Sequence, residues 1–196
     1  MGVRDMGATK DGCGLSPLGT LTLAMLNERP MHPYEMFQLL LSRHEDRIAK
    51  VSAGSLYRTI ERLTDDGLAR VVGTASSGNR PERTTYAITD QGHDTLVRRV
   101  REMLSAPPRE YPAFVLALSE AHNVDRAHAA SDLRDHLEAL DDELAELTAV
   151  ADIAREKGTL EIYYVGADYL RHMLTAQRCW VAHFLTRIEK DDIPWP

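Results

Sequence analysis

Polar side chains in one short segment are suited to nucleic-acid recognition. Ser52, Ser55, Arg58, Thr59 and Arg62 lie close together, and the two arginines are spaced by one helical turn. Hydroxyl groups donate hydrogen bonds to phosphate oxygens, and a guanidinium can bind a phosphate or the edge of a guanine through two parallel hydrogen bonds. The segment therefore offers the chemistry of DNA binding. The simpler alternative is a solvated helix face, because acidic residues occupy the same segment.

A second pair of arginines lies in a turn-forming segment. Arg80 and Arg83 flank Pro81 and Glu82 within the Gly-, Ser- and Asn-rich residues 73–83. A turn of this kind between two strands resembles the wing of a DNA-binding domain, which reaches a phosphate or the minor groove. Arginines in polar turns also serve solubility, so this pair is informative only together with the surrounding elements.

Residues suited to catalysis or metal binding form no recognisable motif. The sequence has no G-x-S-x-G, P-loop, G-x-G-x-x-G or H-E-x-x-H pattern. His128, Asp132 and His136 share a helix face at spacings i, i+4 and i+8, but such a stripe in a charged helix is more often a solvated surface. We predict no catalytic residue, no metal and no cofactor, and therefore a protein that is not an enzyme.

Charge is distributed unevenly along the chain. The formal net charge is -7, yet residues 1–106 hold 14 Lys and Arg against 13 Asp and Glu, whereas residues 107–196 hold 9 against 17. Within the first part, residues 47–101 carry a net charge of +4. A local basic surface is therefore compatible with an acidic protein, and the net charge does not exclude DNA as a partner.

Three helices are predicted at the start of the ordered chain. Their N-caps are Ser16, His32 and Ser52, and the first two are followed directly by proline. The third ends at Gly67, which is placed as a C′ residue. Apolar side chains recur in this third helix at i, i+4 and i+7, so one face is predicted to lie in the core and the arginines on the opposite face.

A hairpin and a fourth helix follow. Residues 68–72 and 84–88 are predicted strands, and Thr89 caps a helix that runs to the double proline at Pro107. Three helices followed by a hairpin is the order of a winged helix-turn-helix, whose third helix enters the major groove. We predict a mainly α protein with a small β-hairpin. Its parts are a flexible tail at 1–14, a winged helix-turn-helix DNA-binding domain at 15–106 and an α-helical dimerisation and effector domain at 107–196.

The C-terminal part is predicted to consist of acidic helices with apolar seams. One long helix is capped by Asn123 or Asp125 and runs to Lys157, and a last helix starts at Thr159. A heptad-like seam predicts a partner helix, which is either a second copy of the chain or the last helix of the same chain. The candidate dimerisation residues are Leu133, Leu137, Leu140 and Leu144 in the long helix and Leu174, Val181, Phe184 and Ile188 in the last.

Aromatic side chains concentrate in the last helix. Tyr163, Tyr169, His172 and Trp180 are the candidate residues for a site that binds a small aromatic effector. The alternative is that these residues belong to the core or to the dimer interface, as aromatic residues at helical spacing usually do.

The remaining features favour a cytoplasmic protein. No apolar stretch approaches the roughly 20 residues that a membrane-spanning helix needs, and the N-terminal residues lack the apolar segment of a signal peptide. The two cysteines, Cys13 and Cys179, are too few for a disulfide framework. We therefore expect reduced thiols and no membrane partner.

Several of these segments together resemble the PadR family of bacterial transcriptional regulators. The matching stretches are residues 53–63, the run Asp66-Gly67-Leu68, residues 78–81, Tyr86 and the run from Thr89 to Gly92. The opening residues 18–26 and the pair Tyr34-Glu35 match as well, so the resemblance covers residues 16–104. The acidic helical remainder is similar to the longer, virulence-activator-like branch of the family.

The resemblance implies a homodimeric repressor that binds a pseudo-palindromic operator in double-stranded DNA and responds to a small, often aromatic effector. Tyr57 and Arg58 fall on the recognition-helix signature of the family, and Arg80 falls on its wing signature. Glu82 stands where a basic residue is common, which weakens the expected wing contacts. The alternative function is a winged-helix adaptor that binds protein and no longer binds DNA.

Overall fold

The computed structural model describes residues 14–75, 83–106 and 112–196. Several predictions fall outside these residues: the flexible tail with Cys13, the hairpin tip with Arg80, and the double proline at the predicted domain boundary. The chain divides into two compact units, Met1–Arg109 and Glu110–Pro196. Among the described helices, none is long and apolar enough to cross a membrane.

Four helices build the first unit: α1 (Pro17–Glu28), α2 (Pro33–Ser42), α3 (Ala53–Asp65) and α4 (Asp90–Ser105). Each begins at its predicted cap, because a side-chain acceptor binds an otherwise unpaired amide of the first turn. Ser16 accepts from the Gly19 amide, and His32 accepts through Nδ1 from the Tyr34 amide. A short 3-10 helix, Glu45–Arg47, follows α2 and was not predicted from the sequence.

The end of α3 is set by Gly67. Its φ of +73° lies in the left-handed region, which glycine adopts without strain. The Leu68 amide donates to the Leu63 carbonyl at 2.8 Å, and the Gly67 amide donates to the Thr64 carbonyl at 3.0 Å. This pair of bonds is a Schellman motif, and it turns the chain directly into the first strand.

The wing is an antiparallel hairpin of β1 (Ala69–Ala75) and β2 (Arg83–Ile88). The register shifts between Val71 and Gly73, which indicates a bulge. Tyr86 forms an additional bridge to Met31, with two backbone hydrogen bonds of 3.0 Å. This bridge joins the hairpin to the segment between α1 and α2.

The core of the first unit is closed by apolar side chains from α1 to α3. Leu23, Met36, Leu40, Leu56 and Ile60 are each fully buried. Gly92 of α4 lets this helix approach the hairpin closely, because a Cβ at this position would lie 2.0 Å from the Leu68 carbonyl oxygen. The mainly helical architecture with one small hairpin confirms the predicted fold class, a winged helix-turn-helix followed by helices.

The second unit is built on a long antiparallel helix pair. Its helices are α5 (Ala113–Ser119), α6 (Arg126–Glu156) and α7 (Val165–Glu189), with short 3-10 helices at Ala121–Asn123 and Glu161–Tyr163. Residues near the start of α6 contact residues near the end of α7, as in the ion pair of Arg134 with Glu189 at 2.5 Å. The buried residues of this unit include Ala130, Leu133, Val181, Leu185 and Ile188.

Two predictions for the second unit need refinement. The last helix begins at Val165 and not at Thr159, because residues 161–163 form a 3-10 helix first. The cap of α6 is Asp125, and its side chain makes no capping hydrogen bond.

Candidate nucleic-acid interface

Helix α3 is fixed at its start by a reciprocal pair of hydrogen bonds. The Ser55 amide donates to Ser52 Oγ at 3.1 Å, and the Ser52 amide donates to Ser55 Oγ at 2.9 Å. This capping box satisfies amides that the first turn of a helix otherwise leaves unpaired. Both serines were predicted to contact DNA, and the structure shows that their hydroxyl groups already stabilise the helix start. Ser52 remains exposed, whereas Ser55 is half-buried.

The face of α3 opposite the core carries Tyr57, Arg58 and Arg62. All three are exposed, while Leu56 and Leu63 on the other face are buried. Arg58 Nη1 lies 3.6 Å from the position that a Cβ would occupy at residue 54, so the guanidinium lies over the first turn of the helix. The structure therefore brings together an aromatic ring and two cations on one helix surface, as the sequence predicted for this segment.

Thr59 was predicted to contact DNA, but it does not lie on this exposed surface. Its side chain is buried, and its hydroxyl donates to the Ser55 carbonyl at 2.8 Å. A threonine in a helix can satisfy its hydroxyl on the preceding turn, which allows the methyl group to join the core. The prediction that Thr59 offers an exposed donor is therefore wrong for this structure.

Two residues that were not among the predicted site residues, His32 and Tyr86, lie near Tyr57. The ring of His32 meets the ring of Tyr57 edge to face, with centroids 6.4 Å apart. Burial raises the pKa of the Tyr86 phenol, and the nearby Glu61 and Tyr57 raise it further. Tyr57 therefore lies beside the N-cap residue of α2 and near Tyr86 of β2. The only sequence signal for His32 was its position as a helix cap.

Glu61 adds a negative charge to the same helix face. It is exposed and lies between Arg58 and Arg62 in sequence. A carboxylate repels phosphate, so Glu61 opposes the attraction that the two arginines offer to a nucleic-acid backbone.

The described residues of the wing include one of its two predicted DNA-binding arginines, Arg83. Arg83 is the first residue of β2 and pairs with Ala75, so its backbone lies at the described end of the hairpin. Arg80 lies outside the described residues. Val71 and Val72 of β1 are 49% and 41% exposed, so the hairpin leaves an apolar surface uncovered beside its bulge.

Half of the predicted dimerisation residues are buried within the single chain. Leu133, Leu140, Val181 and Ile188 have exposures of 8% or less, because α6 packs against α7. The remaining predicted residues are partly buried: Leu137, Leu144, Leu174 and Phe184. The partner of the α6 seam is therefore the last helix of the same chain, which is one of the two alternatives that the sequence left open.

The predicted effector residues are exposed. Tyr163, Tyr169 and Trp180 are 78%, 63% and 48% exposed. His172 Nδ1 donates to the Asp168 carbonyl oxygen at 2.8 Å. The ring of Trp180 stacks on Phe184 with centroids 5.1 Å apart.

The histidine stripe of α6 is engaged in local contacts. His128 Nδ1 lies 2.6 Å from Asp125 Oδ2, and this carboxylate raises the pKa of His128. His136 stacks on Phe114. Within residues 14–75, 83–106 and 112–196, no group of three or more His, Cys, Asp or Glu side chains is placed to hold a metal ion.

The three-helix core, the hairpin and the cationic face of α3 define a winged helix-turn-helix protein. Residues 22–98 match the family model of the PadR-like transcriptional regulators. This segment is therefore similar in sequence to the PadR-like transcriptional regulators.

Solved structures of PadR proteins share the fold over most of the chain. Bacillus subtilis PadR in complex with operator DNA is 17% identical, with a TM-score of 0.75, and the match covers 87% of this chain and 98% of that one. The same protein in complex with p-coumaric acid is 16% identical, with a TM-score of 0.68 and coverages of 89% and 98%. The PadR-like regulator BC1756 from Bacillus cereus is 16% identical, with a TM-score of 0.66 and coverages of 89% and 99%. No curated protein matches this chain in sequence.

Proposed function

We propose that this protein is a homodimeric, sequence-specific DNA-binding repressor that responds to a small effector. The observation that carries the proposal is the exposed face of α3, where Tyr57, Arg58 and Arg62 project from a helix whose opposite face is buried. In a winged helix-turn-helix, this helix is the element that enters the major groove. The repressor role rests on the resemblance to the PadR family.

Arg58 is the residue that we propose reads a base. It is exposed and lies in the first half of α3, and the N-terminal part of a recognition helix usually makes the base contacts. Arg62 is one turn further along the helix, and its Nη2 lies 3.9 Å from the position of a Cβ at Gly19 of α1. We propose that it binds a phosphate. Ser52, together with Arg80 and Arg83 of the wing, is proposed to contact the backbone of the flanking DNA.

The second unit is the proposed dimerisation region. Its exposed apolar side chains on α7 include Val165, Tyr169, Met173 and Trp180, which are 47% to 63% exposed in the single chain. These residues recur at helical spacing, so they form one apolar stripe, and contiguous exposed apolar surface marks an interaction site. A two-fold dimer joined through this stripe would present two copies of α3 to a pseudo-palindromic operator.

The same stripe is the proposed place for a small aromatic effector. Bacillus subtilis PadR has been solved with p-coumaric acid, which shows that a protein of this fold binds such a molecule. Tyr163, Tyr169, His172 and Trp180 would line the site where two copies meet, because exposed aromatic rings can stack on a planar ligand. A ligand bound there would favour one arrangement of the dimer over another and change the affinity for DNA.

Fluorescence anisotropy on DNA from upstream of the protein's own gene tests the proposal. We expect tight binding relative to a scrambled duplex and a steep loss of affinity with added salt, because phosphate contacts release counterions. Light scattering on the same sample should give a dimer. For the effector, the Trp195→Phe variant leaves Trp180 as the only tryptophan, and its fluorescence should respond to phenolic compounds.

The adaptor is the competing function. It is favoured by the formal net charge of -7 and by Glu61 on the α3 face. Absence of binding to any duplex at low salt would support it and overturn the repressor. Equal, salt-sensitive binding to both duplexes would contradict sequence-specific recognition of this DNA.

A further inference from the structure

The second unit contains a cleft that is lined by none of the proposed DNA or effector residues. Two of the predicted dimerisation residues, Leu133 and Phe184, lie in its wall. Its volume is about 260 Å³, and it lies among α5, α6, α7 and the C-terminal residues. At about 30 Å³ per water-sized group in a liquid, this volume holds a molecule of roughly nine non-hydrogen atoms. The cleft is therefore suited to a small organic molecule.

Aromatic rings form much of the wall, and each is held by a specific contact. Phe114 stacks on His136 with centroids 4.2 Å apart and planes 7° from parallel. Phe184 stacks on Trp180 at 5.1 Å. Trp195 donates through Nε1 to the Val124 carbonyl at 2.9 Å, which fixes the C-terminal residues against the cleft. These contacts preorganise the rings before a ligand arrives.

The polar groups of the cleft come from one face of α6. Asp132 and His136 are one turn apart, and both line the cleft. His136 Nε2 lies 3.1 Å from the Gln177 side-chain nitrogen. Asp132 is the one carboxylate among the residues that line the cleft.

We propose that this cleft binds a small organic cation with an aromatic body, of the arylalkylammonium class. The faces of Phe and Trp rings attract a cation, and the Asp132 carboxylate supplies the counter-charge. A molecule with a carboxylate at the same place would face repulsion from Asp132. The cleft therefore selects a charge opposite to that of ionised p-coumaric acid, and its ligand is distinct from the phenolic effector proposed above. Binding at this site does not depend on whether the protein binds DNA.

Trp195 supplies a direct readout. In the Trp180→Phe variant of the full chain, Trp195 is the only tryptophan, and its fluorescence is titrated with phenethylamine, 2-phenylethanol and phenylacetate. These probes share a phenyl ring and a short chain and differ in charge. We expect phenethylamine to bind about threefold to tenfold more tightly than the alcohol, with phenylacetate weakest. Equal affinity for the cation and the anion would overturn the charge assignment, and no response to any probe would overturn the site.

Matched variants locate the binding. Asp132→Asn should lower the affinity for phenethylamine to that of the alcohol, whereas Asp135→Asn, an exposed acid on the same helix that does not line the cleft, should leave it unchanged. Equal effects of these two substitutions would contradict the assignment of Asp132.

A second pair of variants tests the cleft itself. Ala117→Leu narrows the cleft from α5 and should abolish binding, and Ala113→Leu is its control at an exposed position outside the lining. All four positions are exposed, so the fold should tolerate the substitutions. Binding that survives Ala117→Leu unchanged would place the probe elsewhere and overturn the proposal.

Discussion

Helices α1 to α3 bury their apolar side chains more completely than the helix pair α6 and α7 does. The first group closes its core: Leu23, Leu40 and Ile60 are fully buried. The second buries one seam and leaves Tyr169, Met173 and others more than half exposed. A closed core holds α3 rigidly, whereas contiguous exposed apolar surface marks a site where a partner binds. The difference supports the proposal that the first unit binds DNA and that the second joins two copies of the chain.

The sharpest way to test the closed core is Gly92→Ala. A Cβ there would lie 2.0 Å from the Leu68 carbonyl oxygen and 2.9 Å from Ile88 Cγ1, so the helix and the hairpin would have to separate. We expect a loss of about 3 kcal/mol in the free energy of unfolding, measured by urea denaturation. The control is Gly166→Ala in α7, where a Cβ meets nothing within 4 Å. The control should be neutral or stabilising by about 0.5 to 1 kcal/mol. Comparable losses in both variants would contradict the difference between the regions.

The exposed face of α3 is tested by Arg58→Ala. If the Arg58 guanidinium reads a base edge, as we propose, DNA affinity should fall by about 1 to 3 kcal/mol and the preference at one base position should relax. The free energy of unfolding should not change, since the side chain is exposed. Arg187→Ala in α7 is the control for charge. An equal loss on specific and scrambled duplexes would instead assign Arg58 to a phosphate.

The exposed apolar stripe of α7 is tested by Tyr169→Ser. This side chain is 63% exposed, so its removal should leave the fold of the single chain intact. If it lies in a dimer interface, the dimer should weaken by about 1 to 2 kcal/mol for the pair of changes. Sedimentation equilibrium measures this, and Tyr34→Ser of α2, with 57% exposure, is the matched control. A dimer that is unaffected by Tyr169→Ser would show that another surface joins the two copies.

The smallest expected change in the free energy of unfolding concerns Glu45, a partly buried acidic residue of the first unit. Glu45 Oε2 is buried with no hydrogen-bond partner among the described residues, and burial raises the pKa of this carboxyl above its ordinary value of 4.5. The folded state therefore binds the proton of Glu45 more tightly than the unfolded state does. As the pH rises from 4.5 through the folded pKa, the carboxyl becomes charged and the free energy of unfolding falls. Glu45→Gln should stabilise the protein by about 1 kcal/mol near neutral pH.

The pH dependence supplies the control for Glu45. Below the ordinary glutamate pKa of 4.5 the wild-type carboxyl is protonated in both states, and the advantage of Glu45→Gln should vanish. Glu28→Gln should show the opposite trend, because hydrogen bonding to Arg43 at 2.6 Å lowers the pKa of Glu28. A pH-independent gain for Glu45→Gln would contradict the assigned cause.

The sequence by itself determined the local elements of the first unit. Ser16, Ser52 and Thr89 begin helices as predicted, and Gly67 ends one. Each of these features depends on hydrogen bonds within a few residues or on the conformational freedom of glycine, so the local sequence contains the necessary information. The polar face of α3 was predictable for the same reason, since a period of 3.6 residues assigns side chains to faces.

Only the tertiary structure decided what those faces meet. Thr59 was assigned to the polar face, yet it is buried, because the width of the core-facing stripe depends on how closely the neighbouring helices approach. The α6 seam predicted a partner helix without identifying it, and the fold supplies α7 of the same chain. The cleft joins Phe114, Asp132 and Trp195, which are distant in sequence. Periodicity shows that a side chain needs to be buried, but long-range packing determines the neighbour that buries it.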